Sequence, residues 1–288
     1  MAEPRPRPRA VSDDDAAEKP TGREAELEAG RMPFVEHLRE LRDRVRNAAI
    51  AFAGAFVLCW VFADQIYDWI KQPLFHAWKT NGKILGPDAT LVFGSVTEPF
   101  WVYMSVALWA GIFVASPFIF NQLWKFIAPG LYKRERKFGV IFAVASALFF
   151  ASGALFCYYF VLEQLYAFLL GYAGAELHPM LSMREYLDFT RSMMLAFGGV
   201  FELPVLIFFL SLAGIVTHRG LWKFNRWFVV IAFVIGAILT PSPDVVSQLL
   251  MALPMIVLYN LSILVAYAVV KKRERAQAEL EKSDRADD

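Results

Sequence analysis

"FGGVFELPVLIFFL", residues 197–210, sets a glutamate and a proline inside an otherwise apolar run. The run lies in a longer apolar segment, 192–215, of the length needed to cross a bilayer. In such a setting Glu202 is a costly group and Pro204 removes a backbone donor. The rest of the chain supports the lipid reading. Of 288 residues 57% are hydrophobic and 15% aromatic, with mean hydropathy +0.41, above the apolar share of a soluble domain.

Six apolar segments are long enough to be spans: about 47–63, 100–121, 138–162, 192–215, 227–240 and 245–270. The fifth is short, and from Trp227 to Thr240 its 14 residues give about 21 Å of helix. It therefore starts in the interface near Trp222 or sits where the bilayer is thinned. The segment interiors carry no Lys or Arg, and Glu202 is their only central carboxylate. The fold expected is an all-α membrane domain over 31–270, six transmembrane helices in a concave, proline-kinked bundle. Pro117, Pro204 and Pro254 are its in-span breakers.

Bases gather before the first segment (Arg39, Arg42, Arg44, Arg46), between the second and third (Lys125, Lys133, Arg134, Arg136, Lys137), between the fourth and fifth, and after the sixth. The other connections are base-poor or mixed, so both termini are expected to be cytoplasmic. Residues 1–30, with "EPRPRPR" and "SDDDAAEKP", have too little hydrophobicity to fold and read as a disordered extension. No apolar core follows the early arginines closely enough for a signal peptide. Residues 271–288 read as a charged cytoplasmic tail that continues the sixth helix for a few turns and then frays.

Several function classes are disfavoured. A formal net charge of +1 does not suit broad capture of nucleic acid. The two cysteines, Cys59 and Cys157, sit in apolar segments as packing residues and make neither a disulfide framework nor a metal pattern. No H-E-x-x-H, P-loop or G-x-S-x-G motif occurs, and His37, His76, His178 and His218 lie outside the apolar segments. The chain reads as a non-enzyme without cofactor or metal.

Two charged segments flank the spans. In "MPFVEHLRELRDRVRNA", 32–48, Phe34, Leu38, Leu41 and Val45 recur at helical spacing, with Glu36, Glu40 and Asp43 forming an acidic row beside Arg39, Arg42 and Arg46. Glu40 has an ordinary reading as a surface pair with Arg44, worth about 0.3 to 0.5 kcal/mol. In "FIAPGLYKRERKF", 126–138, Glu135 stands among four bases. Yet its helical neighbours Leu131, Tyr132, Phe138 and Gly139 are not basic, so local neutralisation does not account for it.

"HLRELRDR" at 37–44, "SPFIFNQLWKFIAPGLYKRERK" at 116–137, "FGGVFELPV" at 197–205 and "LTPSPDVVSQLLMALPM" at 239–255 together resemble the TatC family, the multispanning subunit of the twin-arginine protein translocase. The resemblance covers about 33–270, in order. It implies a receptor for twin-arginine signal peptides and core subunit of a proton-gradient-driven translocase exporting folded proteins. That protein works in the bacterial cytoplasmic (inner) membrane, in several copies, with TatA/TatB-type single-span subunits, signal peptides of folded cargo and membrane lipid as partners. By position, Glu40 and Glu135 match the family's recognition glutamates, with Arg42, Phe126 and Pro129 around them, and Glu202 matches its intramembrane glutamate. Two carboxylates suit two guanidinium forks. At about 1.5 to 3 kcal/mol for each charge-assisted contact, the pair would supply roughly 3 to 6 kcal/mol, or two to four decades of affinity. For Glu202, with Pro204 opening room beside it, three readings stand: docking a partner's helix, satisfaction by the protein's own helices, or a relay in a proton-coupled secondary transporter. A relay would draw on scattered polar groups such as Gln122, Gln248 and Asn260.

Overall fold

The structure, a computed structural model, describes residues 34–80, 90–127, 139–172, 180–239 and 244–287. The expected disordered extension 1–30 lies outside the described residues. The chain divides into two units between Asp43 and Arg44. In the first, the described part is the start of α1 (Phe34–Val61).

Among the described residues of the second unit, the regular structure is helical apart from one two-residue strand pair. After the remainder of α1 come α2 (Ala63–Ile70), α3 (Gln72–Thr80), β1 (Leu91–Val92), α4 (Glu98–Ile127) and α5 (Gly139–Phe156). A π-helical turn (Cys157–Leu162) leads to α6 (Glu163–Leu170), and then β2 (Leu181–Ser182), α7 (Met183–Phe201), α8 (Leu203–Leu212), α9 (His218–Leu239) and α10 (Val245–Asp287). Among the described residues six stretches are long and apolar enough to cross a membrane: Glu36–Val61, Glu98–Ile127, Gly139–Leu170, Met183–Leu212, His218–Leu239 and Val245–Ala268.

Several bounds differ from those read by hydropathy, each for a local reason. α9 starts at His218, where the Thr217 hydroxyl accepts the Gly220 N–H at 3.3 Å as an N-cap. Its 22 residues extend about 33 Å, enough to cross without a thinned bilayer. α7 starts at Met183 because Ser182 and Glu185 hold the first half of a capping box: the Ser182 hydroxyl accepts the Glu185 N–H at 3.3 Å. That start brings Arg191 inside the fourth span, just ahead of the apolar run 192–215. α10 continues helical to Asp287, so the helical continuation expected for a few turns after residue 270 runs through the charged tail.

The fourth span is interrupted at Glu202. The Glu202 N–H bonds back three residues to the Gly199 carbonyl at 3.2 Å, and Pro204, at the start of α8, has no N–H with which to continue the ladder.

Lipid is as apolar as leucine, so packing between spans rests on close fit. α5 and α7 meet through two glycines: a Cβ on Gly153 would stand 2.5 Å from the Phe197 carbonyl oxygen, and one on Gly198 would stand 2.8 Å from the Phe150 ring. Around this crossing the main core joins Leu74 and Trp78 of α3 to Cys157, Leu162 and Leu165, and to Met193 and Phe197 of α7. Cys59 and Cys157 are both buried and unbridged.

A small cap closes the end of the bundle that carries β1 and β2. The strands pair in parallel, Leu91 with Leu181 and Val92 with Ser182. The Glu98 carboxylate accepts the Gly94 N–H at 2.7 Å and the Ser182 hydroxyl at 3.4 Å, which ties the start of α4 to that of α7. Two carbonyls at the end of α2, Trp69 and Ile70, accept the hydroxyls of Tyr158 at 2.6 Å and Tyr186 at 2.7 Å. The tyrosines thereby satisfy groups a helix C-terminus leaves open.

Candidate functional site: an intramembrane carboxylate and a charged entry helix

Glu202 stands at the α7–α8 break, about 15 Å by helical rise from the end of α8. It is partly buried, and Pro204 beside it is buried. Its carboxyl group neighbours the Ser146 hydroxyl and the Phe150 backbone, both on α5. Its Oε1 is buried without a hydrogen-bond partner. Ser146 in turn accepts the indole N–H of Trp124, on α4, at 3.0 Å. Phe142 stacks on Trp124 with centroids 5.0 Å apart, and Phe209 meets it edge-on at 4.7 Å. Three spans thus converge on one carboxylate inside an aromatic wall.

The polar groups considered for a relay do not extend this cluster. Asn260 bonds Asn225 at 3.2 Å and the Ile256 carbonyl at 2.8 Å. The Gln122 Oε1 is buried without a hydrogen bond. Among the described residues no hydrogen bond links Glu202 to Gln122, Gln248 or Asn260.

On α1 the apolar row is open: Leu38, Leu41 and Val45 are all exposed. Arg42 reaches Asp43 at 3.6 Å and remains 73% exposed. Glu40 is only partly exposed, as is Phe126 near the end of α4, and both have interaction partners. Glu135 and Pro129 fall in 128–138, outside the described residues.

Sequence reading missed Arg191. It is held by Asp188 at 2.9 Å and by the Ser105 hydroxyl at 2.8 Å, and its guanidinium lies 5.1 Å from the Trp109 ring centroid. The signal was the spacing Arg184, Asp188, Arg191, which puts two bases and one acid on one helix face.

These features define a six-span, all-α membrane protein with an interrupted fourth span carrying its central carboxylate. The model of the family Sec-independent protein translocase protein (TatC) matches residues 36–254. The chain belongs to that family, the multispanning component of the twin-arginine translocase. It is 42% identical over 252 residues to the Sec-independent protein translocase protein TatC of Koribacter versatilis, covering 88% of this chain and 91% of that one. It is 38% identical over 248 residues to that of Aquifex aeolicus, covering 85% and 99%. A solved structure described as the crystal structure of twin arginine translocase receptor TatC superposes with a TM-score of 0.71 at 37% identity, over 82% of this chain and all of the other.

Proposed function

We propose that this chain is the receptor for twin-arginine signal peptides and the core subunit of a proton-gradient-driven translocase that exports folded proteins. It works in the bacterial cytoplasmic membrane with both termini cytoplasmic, in several copies and with single-span partners of the TatA/TatB type. The observation that carries this reading is the family match over 36–254, which takes in Glu40, Glu135 and the interrupted span.

The chemistry fits the guest. Glu40 and Glu135 each supply a carboxylate in a basic neighbourhood at the expected cytoplasmic face, and the exposed row Leu38, Leu41 and Val45 suits a peptide with an apolar stretch beside its arginines. Arg42, Phe126 and Pro129 shape the surroundings. Guanidinium binds a carboxylate through a planar fork that lysine lacks. Crosslinkers at positions 40 and 135 test this: both should capture a signal peptide with Arg-Arg and lose it with Lys-Lys. Equal capture of the two peptides would end the proposal.

For Glu202 the buried, unbonded Oε1 favours docking over a relay. A polar residue on a partner's single helix would complete its hydrogen bonding, with the α7–α8 break opening room for that helix.

A further inference from the structure

Away from Glu202, α2, α4, α5 and α7 enclose a cavity of about 480 Å³. Its walls are apolar, with Trp69 from α2, Val106 and Phe113 from α4, Ala154 from α5 and Met194 from α7. Val114 and Leu155 also line it and are 49% and 44% exposed, so the cavity opens sideways toward lipid. A second cavity of about 440 Å³ adjoins it, sharing Leu187 and Arg191, and its lining sets Ser105, Arg184, Asp188 and Arg191 beside apolar side chains such as Trp101 and Val102.

The charge at this junction is unbalanced. Arg184 approaches Asp188 at 3.8 Å and Arg191 approaches it at 2.9 Å, so two guanidiniums share one carboxylate. Glu98 and Glu185, at the same end of the bundle, line neither cavity. Arg191 lies about 12 Å along α7 from Met183, inside the stretch that is long and apolar enough to cross a membrane. A base at that depth marks a functional site by default and needs an anionic or polar partner. The Asp188 and Ser105 bonds leave further guanidinium donors on Arg191 for an acceptor.

An apolar groove continuous with a net positive pocket fits an amphiphile. We propose that this cleft holds one anionic phospholipid, an acyl chain in the apolar cavity and the phosphate on Arg191, with Arg184 nearer the surface. A guanidinium receives phosphate oxygens bidentately. An apolar transmembrane helix fits less well, because it would bring no acceptor for the remaining Arg191 donors.

The test uses the purified full-length chain in detergent, titrated with palmitoyl-oleoyl phosphatidylglycerol or the matching phosphatidylcholine and followed by native mass spectrometry. One phosphatidylglycerol should be retained about tenfold more tightly than phosphatidylcholine, in line with the attraction of a base for anionic headgroups. Arg191→Gln should bring the two lipids together, Arg191→Lys should keep part of the preference, and Ala110→Phe, which fills the cavity, should lower retention of both. Equal retention of the two lipids by the unsubstituted protein, or an undiminished preference in Arg191→Gln, overturns the proposal. A photocrosslinker at Val114 gives a reading that does not depend on the arginine variants folding. Lipid adducts are expected, and capture of a signal peptide or a single-span helix in their place overturns the proposal.

Discussion

The indole N–H of Trp124 donates to the Ser146 hydroxyl at 3.0 Å, and the same hydroxyl stands beside the carboxyl of Glu202. One serine therefore joins α4, α5 and the α7–α8 break. A hydroxyl is suited to this because it accepts and donates at once. Ser146→Ala leaves the buried Trp124 donor unpaired, and the expected loss is about 1 to 3 kcal/mol, read as a lower thermal midpoint in detergent. In a double-mutant cycle with Trp124→Phe, the two changes together should cost less than their sum by about 1 kcal/mol. Strict additivity would mean that the contact carries no coupling.

Glu202 separates two kinds of role through its amide and alanine variants. Gln keeps a hydrogen-bonding group of nearly the same shape but cannot carry a proton through a cycle. Under docking, Glu202→Gln retains partner co-purification and export, whereas Glu202→Ala loses both. If Gln is as inactive as Ala while partners still co-purify, proton transfer regains the argument.

The span count, Glu202 and the break beside Pro204 were legible because each is a local contrast: a long apolar run, one acid within it, one missing donor. The start of α7 was not, since Arg184, Asp188 and Arg191 depress a hydropathy window although they neutralise one another in part once folded. α9 was shortened for the same reason, with Arg219, Lys223 and Arg226 in its first turns. The cap was hidden more deeply. Its strand pair joins Leu91 to Leu181 over two residues, and its tyrosines reach Trp69 and Ile70 from spans far along the chain. No periodicity within α2 or α3 encodes those partners. Of the residues proposed for recognition, Glu40, Arg42 and Phe126 have described positions, whereas Glu135 and Pro129 do not.

The α5–α7 crossing predicts a steep response to small additions. A Cβ on Gly153 would sit 2.5 Å from the Phe197 carbonyl oxygen and 2.8 Å from the Phe201 side chain. Backbone cannot swing aside as a flexible side chain can, so Gly153→Ala should cost about 1 to 3 kcal/mol. Gly199→Ala, on the facing helix α7 but with open space at its Cβ, is the control and should leave the thermal midpoint nearly unchanged.

Tyr67, on α2 between the first two spans, has a buried hydroxyl without a hydrogen bond among the described residues. Burial raises its phenol above the ordinary value of 10.0, and Tyr103 and Asp68 add to the effect. The folded state thus holds this proton more tightly than the unfolded chain does. Its contribution to stability is complete below the unfolded value and declines as pH rises past about 10 toward the folded value. Tyr67→Phe removes both the titration and the unpaired hydroxyl. It should be neutral or stabilising at pH 7 and should flatten the alkaline fall in thermal midpoint. A large loss of stability at neutral pH would show that the hydroxyl has a partner.

The two proposed recognition carboxylates make the sharpest demand on function. A single charge-assisted contact of about 1.5 to 3 kcal/mol corresponds to roughly ten- to 150-fold in affinity. Glu40→Ala and Glu135→Ala should therefore each weaken binding of a twin-arginine peptide by that order, and the double variant should approach background. The size of the loss also tests the partner. Against a Lys-Lys peptide the same substitutions should change little, because the planar fork has already been given up. Glu36→Ala, on an exposed position of the same helix, is the control for simple loss of negative charge. If Glu36→Ala weakens binding as much as Glu40→Ala, the attraction is a diffuse field and not a fork, and raising the salt concentration should then abolish it.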